Sequence, residues 1–269
     1  MILSSHPHSD TRLAYDDSGG GGDLVVLLPG AGDVRSENRS LAAHLQGAGF
    51  RVVSADLPGH GDSPVAARYG VEETATALID LILSLEAGPA TVVGVSFAPA
   101  AAIWVAADHP EQISAVVAIS PHLEEDTSVK GRVLRAVTAL LLRGPWAASL
   151  WERFYRSWYK ENPPSDLDAE IAKLRAMLAD PLRRRAARQT LLAHREGVDQ
   201  RMDRLAVPAL VVFGAADDHF SDPRAEARRI SETLSAEMLM VDGAGHYPHV
   251  EDPDGVATTI VDFLHRVSE

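Results

Sequence analysis

The sequence predicts an α/β protein, a mostly parallel sheet flanked by helices and interrupted by one long helical insertion. Three observations predict it. Short apolar runs alternate with longer amphipathic stretches, the rhythm of parallel strands joined by crossover helices. Residues able to do chemistry follow the C-terminal ends of those runs, where open parallel sheets place their ligands. The rhythm stops after Ser120 and resumes only at Pro208, and the stretch between reads as wholly helical.

Leu24 to Leu28 (LVVLL), Arg51 to Ala55, Ala90 to Val95, Ala115 to Ile119, Ala209 to Phe213 and Glu237 to Val241 read as strands. Ser36 to Ala48, Val71 to Leu85, Phe97 to Asp108, Pro223 to Leu234 and Pro253 to Val267 read as the helices between and after them. Asp222 before Pro223 is an N-cap followed by proline at the first helical position, and Asp252 before Pro253 repeats the device. Gly19 to Gly22 lacks the Lys and Ser or Thr that complete a phosphate loop, so it reads as a turn between two early strands. The division expected is a core of residues 1–120 and 205–269 and a helical cap, or lid, of residues 121–204. Trp146, Trp151, Phe154, Tyr155, Trp158 and Tyr159 crowd one short part of that cap. These rings either glue the insertion to the sheet or line an apolar site beneath it. Trp146, Trp151, Phe154 and Trp158, with Tyr247 from the last loop, are the substrate-binding candidates.

The chain has no cysteine, which rules out a disulfide framework, a thiolate nucleophile and a cysteine-held metal, and suits a reducing cytoplasm. It has no run of eighteen apolar residues, and Met1 to Asp10 is polar rather than basic then apolar, so a protein with neither membrane insertion nor secretory signal is expected. Residues 121–204 hold 16 Lys and Arg against 12 Asp and Glu, a balance of +4, and the remainder carries −17 of the total −13. That far field repels phosphate backbones and argues against nucleic-acid binding, while the insertion can attract an acidic group locally. No His, Asp and Glu spacing such as HExxH points to a metal.

The strand Ala90 to Val95 runs straight into Gly94-Val95-Ser96-Phe97-Ala98 and then a helix. A serine at such a sharp turn has its hydroxyl pushed out above the sheet, and small neighbours are needed because strand and helix backbones approach closely. Pro99 removes no intrahelical bond in the first turn and leaves the Phe97 N–H free. Pro29-Gly30-Ala31-Gly32-Asp33 follows another strand and offers the Ala31 N–H, so Ala31 and Phe97 are the candidate oxyanion-hole donors. Asp217 stands three residues after Gly214, with Asp218 competing for the same role. Glu124, Glu125 and Asp126 are a remoter alternative for the acid, read otherwise as a solvated entry to the lid. His246 follows Gly243-Ala244-Gly245. His122 and His249 read as pocket-lining or loop residues, and His219 as a partner for a backbone carbonyl.

The order Ser96, Asp217, His246 is that of the α/β-hydrolase superfamily, which the chain resembles over nearly its whole length, with similarity to lidded bacterial serine esterases. Asp56 to Ser63 (DLPGHGDS) matches the DxxGxGxS turn of that family, where its role is structural, so His60 and Ser63 stay off the catalytic list. Two departures stand out: Ala98 replaces the elbow's usual final glycine, and Pro29 replaces the usual histidine of the oxyanion segment. Residues 29–35 resemble a PGxGDxR form found in actinobacteria. The resemblance implies the α/β-hydrolase fold with its cap inserted after the sixth strand, and a catalytic triad of Ser96, Asp217 and His246 that needs no cofactor. The implied substrate is a small-to-medium apolar carboxylic ester or thioester. A C–C bond hydrolase, a cyclase, a perhydrolase or a low-turnover ligand-binding receptor would use the same scaffold. The epoxide-hydrolase route, which needs an aspartate at position 96, is excluded.

Overall fold

A computed structural model describes residues 2–3, 12–125, 128–144 and 146–268. Most of the polar stretch Met1 to Asp10, and Asp126, lie outside the described residues. Eight strands form one sheet: β1 (Ile2–Leu3), β2 (Ala14–Asp17), β3 (Leu24–Leu28), β4 (Arg51–Ala55), β5 (Ala90–Val95), β6 (Ile113–Ile119), β7 (Ala209–Gly214) and β8 (Glu237–Val241). Their order is β1-β2-β4-β3-β5-β6-β7-β8. β2 pairs antiparallel with both β1 and β4 at one edge, and the pairings from β4 to β8 are parallel, β3 beside β5 with Leu28 opposite Gly94.

The strands form where apolar β-branched runs can be covered on both faces. In β3, Val25 and Leu27 join one buried cluster and Leu24, Val26 and Leu28 the other, as the two-residue period of a strand requires. Helix α1 (Arg39–Gly47) precedes β4, α2 (Val71–Ser84) precedes β5, and α3 (Ala98–Asp108) leads to β6. Between β6 and β7 the described residues form α4 (Val129–Leu141), α5 (Ala147–Ser157), α6 (Leu167–Ala179), α7 (Pro181–Leu191) and α8 (Val198–Met202). α9 (Pro223–Leu234) joins β7 to β8, and α10 (Pro248–Glu251) and α11 (Pro253–Ser268) close the chain. Asp222 caps α9 by accepting the Ala225 N–H at 3.0 Å, as expected of that residue. The stretch expected to begin as a helix at Ser36 starts instead with a 3-10 turn over Arg35–Asn38. Among the described residues no helix is long and apolar enough to cross a membrane.

Trp151, Tyr155 and Tyr159 share a buried cluster with Val93, Val95 and Ile119 of the sheet. That packing brings α5 over the C-terminal ends of the strands, where the site lies.

Candidate active site

β5 is buried along its whole length and ends at Ser96, whose backbone takes φ +56°, in the left-handed region. For a residue with a side chain this costs about 1–3 kcal/mol and persists only where its surroundings hold it. Two bonds hold it here: the Ser96 N–H donates to Ile119 O at 2.9 Å, and the His122 N–H donates to Ser96 O at 2.8 Å. The helix that follows comes so close that a Cβ on Gly94 would lie 2.7 Å from the Pro99 nitrogen, which is why glycine stands there. Ala98 is fully buried at the start of α3 and its methyl group joins the core, so the departure at that position is accommodated without opening the turn.

Ser96, Phe97, Gly30, Ala31, His246 and Tyr247 face a cavity of about 250 Å³. Among the described residues no hydrogen bond takes up the N–H of Ala31 or of Phe97. The Gly30 loop is fixed from behind. The Gly32 N–H donates to Nε2 of buried His60 at 3.0 Å, and His60 Nδ1 bonds Pro58 O at 3.0 Å. Burial holds the His60 pKa down to about 4, consistent with a neutral ring that donates on one side and accepts on the other. Arg35 of the same loop donates to Asp56 Oδ1 through its backbone N–H at 2.7 Å, and Ser63 Oγ donates to Asp56 O at 2.9 Å. His60 and Ser63 therefore brace the loop.

Asp217 is buried, and its Oδ2 accepts from His246 Nδ1 at 2.8 Å. A carboxylate only accepts, so Nδ1 carries the proton and Nε2 keeps its lone pair. Burial opposes ionisation of Asp217, yet the charge of His246 and the bonds from His219 and His246 outweigh it and hold the carboxyl well below the usual range. Burial also lowers the His246 pKa from its ordinary value, Asp217 opposing and the His219 charge adding to the effect. The loops that carry the two residues interlock: the Ala216 N–H donates to Ala244 O at 2.9 Å, and a Cβ on Gly214 would lie 2.0 Å from Gly245 O. Asp218 turns outward to Lys160 at 2.7 Å. Glu124 pairs with Arg229 at 2.6 Å and Glu125 bonds the Arg195 N–H at 2.7 Å; neither bonds His246.

The sequence matches the alpha/beta hydrolase fold family over residues 23–253. The chain belongs to that family. It is 36% identical to lipase LipV of Mycobacterium tuberculosis over 45% of this chain and 46% of LipV, so the match spans about half of that relative. It is 25% identical to a pimeloyl-(acyl-carrier protein) methyl ester esterase of Neisseria meningitidis serogroup C, over 90% of this chain and 94% of the esterase. An esterase from Thermogutta terrifontis shares the fold with a TM-score of 0.81 at 22% identity, covering 99% of this chain and 98% of that one.

In this α/β-hydrolase, three of the ring candidates lie away from the cavity. Trp146 is 57% exposed and Phe154 42% exposed, and Trp151 is buried against Gly32, behind the loop rather than in the cavity wall. Trp158 and Tyr247 do line it. Trp158 O also accepts the His246 N–H at 2.9 Å, so the end of α5 rests on the histidine loop. Tyr247 donates to Asp33 Oδ2 at 3.0 Å and stacks on Tyr159, 5.2 Å between centroids.

The expectation for His219 needs correction. Its ring bonds Asp217 Oδ1 at 2.9 Å rather than a backbone carbonyl, and its centroid lies 4.1 Å from that of His246. Asp217, His219 and His246 bring ligand atoms within 4.8 Å of one another, close enough for a metal ion. Each Asp217 oxygen nevertheless already accepts from one of the two rings, so an ion there would have to displace those bonds.

The sequence places Glu251 after the histidine loop but gives it no role, and it does not single out Arg195. Glu251 Oε1 accepts the Gly245 N–H at 2.6 Å and Oε2 the Lys160 N–H at 2.8 Å, clasping the histidine loop to the residues after α5. Its signal was a glutamate five residues past the histidine. Arg195 lines the cavity from the loop after α7, and nothing in its local sequence marks it.

Proposed function

We propose that this α/β-hydrolase is a serine hydrolase that cleaves a small carboxylic ester or thioester through an acyl-enzyme, with Ser96 as nucleophile. The observation that carries the reading is the strained Ser96 turn opening into the same cavity as a histidine whose far nitrogen is bonded to a buried carboxylate. In this mechanism His246 takes the Ser96 proton as the oxygen attacks the carbonyl carbon, and Asp217 holds the ring in the needed tautomer and stabilises the imidazolium. The free N–H groups of Ala31 and Phe97 receive the oxyanion, each worth about 3 kcal/mol in the transition state. His246 then protonates the leaving group, and water, deprotonated by the same ring, cleaves the acyl-enzyme. Residues 121–204 act as a cap that keeps bulk water from the cavity, with Trp158 and Tyr247 as its aromatic contacts to substrate.

Labelling with a fluorophosphonate probe tests the nucleophile: wild type takes up the probe and Ser96→Ala does not. Ser96→Ala also loses roughly 10⁴-fold or more of kcat/KM on p-nitrophenyl acetate. A wild-type protein that resists the probe and hydrolyses no ester would refute the reading. Running a thioester and a β-diketone beside the esters separates acyl transfer from C–C cleavage on the same site.

A further inference from the structure

The cavity wall contributed by the helical segment carries a cation, Arg195, whose guanidinium makes no ion pair among the described residues. Arg195 Nε donates to His122 O at 3.0 Å and Nη1 to Ala193 O at 2.6 Å, so the guanidinium is anchored on backbone carbonyls rather than on a carboxylate. Its carbon lies 4.8 Å from the ring centroid of Phe97, whose N–H is one of the two free donors beside Ser96. Among the described residues Nη2 has no acceptor. Glu124 and Glu125 line the same cavity, but among the described residues neither makes an ion pair with the Arg195 guanidinium. Glu124 pairs with Arg229, and Glu125 takes the Arg195 backbone N–H, the His194 ring at 3.0 Å and Arg135 at 3.6 Å. Arg135 lines the same cavity, and two like charges at one wall repel. Burial, opposed by Glu125 and reinforced by Arg135, pushes the Arg195 pKa down to about 10, still charged at neutral pH. A guanidinium that, among the described residues, has no carboxylate on its Nη2, beside a second guanidinium in a cavity of about 250 Å³, is set to receive a small anion.

We infer that the substrate cleaved at Ser96 carries a carboxylate that sits on Arg195 Nη2, with Arg135 adding its charge. The inference rests on the hydrolase reading above and deepens it from a small ester to an anionic one. It revises the expectation of a purely apolar substrate. It also gives the basic balance of residues 121–204 a use: in a chain of net charge −13, an anion needs local cations to enter.

Two chromogenic or UV-detected pairs test it, one with the charge on the acyl side and one on the alcohol side: mono-p-nitrophenyl glutarate against its methyl ester, and 4-acetoxybenzoate against its methyl ester. The readout is the ratio of kcat/KM for the anionic member to that for the neutral one. Misfolded protein lowers both values together and leaves the ratio alone. Wild type is expected to favour the anion in at least one pair. Arg195→Met reduces that ratio about 10- to 100-fold, the worth of a charge-assisted hydrogen bond, and Arg195→Lys keeps part of it. No preference for the anion in either pair, or a ratio that survives Arg195→Met, overturns the inference. Failure of the hydrolase reading is seen separately, as absent probe labelling and no turnover of any ester. Calorimetric titration with glutarate then decides the carboxylate site alone. Saturable binding that Arg195→Met abolishes supports the site, and no binding, or equal binding in both proteins, overturns it.

Discussion

The sheet side of the cavity is held by backbone contacts that admit no side chain, whereas the helical side makes one such contact, Trp158 O against Gly245, and otherwise meets the cavity with side chains. At the sheet, a methyl group on Gly94 would meet the Pro99 nitrogen at 2.7 Å and one on Gly214 would meet Gly245 O at 2.0 Å. Across the cavity stand Trp158, Leu191, Ala193 and Arg195, the last held by hydrogen bonds to Glu125, His122 O and Ala193 O. Backbone interlocks fix positions to a fraction of an ångström, which proton transfer needs. Side-chain walls tolerate exchange, which allows one scaffold to take different substrates. On the proposed reaction, one wall sets the reaction type and the other the choice of substrate.

Three experiments would break or sharpen that contrast. The largest effect is expected on the sheet side: Asp217→Asn lowers kcat about 10⁴-fold by favouring the wrong histidine tautomer, while the neighbouring Asp218→Asn, facing solvent and Lys160, stays within a few-fold. Equal losses from the two, measured by steady-state kinetics on p-nitrophenyl acetate, would remove the distinction between the buried and the exposed acid. On the helical side, Trp158→Ala raises KM about tenfold with kcat less affected, and Trp146→Ala, whose ring is in solvent, changes neither by more than about twofold. A matching loss from Trp146→Ala would mean that the cavity closes differently in solution.

The smallest effect is a displaced pH limb. The base must be neutral, and burial lowers the His246 pKa, so kcat/KM stays level as pH falls through 6.5 and drops only below it. His219→Asn removes a like charge from beside the ring and moves the limb upward. A limb above pH 6.5 in wild type contradicts the dominance of burial.

Much of the fold was legible. β3, β4, β5 and β8 begin and end where their apolar runs do, and β6 and β7 are longer than read by two residues and one residue respectively. Aspartates before prolines mark the starts of α9 and α11 because a side-chain cap and a missing N–H act within one turn. The aromatic cluster was legible only as a cluster. Trp151, Tyr155, Trp158 and Tyr159 follow the i, i+4, i+7, i+8 stripe that turns inward, and Phe154 falls beside it toward solvent. Helical period identifies a stripe, but what the stripe faces depends on how the helix is docked. Trp151 shows this: it turns inward, yet it meets Gly32 behind the loop instead of the cavity.

By itself the sequence determined the alternation of strand and helix, the sharp turn at Ser96 and the order of the candidate reactive residues, because these depend on side chains within a few positions of one another. The spacing after Gly214 already pointed to Asp217, which bonds His246 while Asp218 faces Lys160; only the tertiary structure decided that His219 shares the same carboxylate and that Arg195 faces Phe97. Asp217 meets His246 from 29 residues away because the loops after β7 and β8 interlock, and Arg195 reaches Phe97 because the helices between β6 and β7 settle on the sheet through the burial of Trp151, Tyr155 and Tyr159, whereas His219 lies two residues from Asp217 in the same loop.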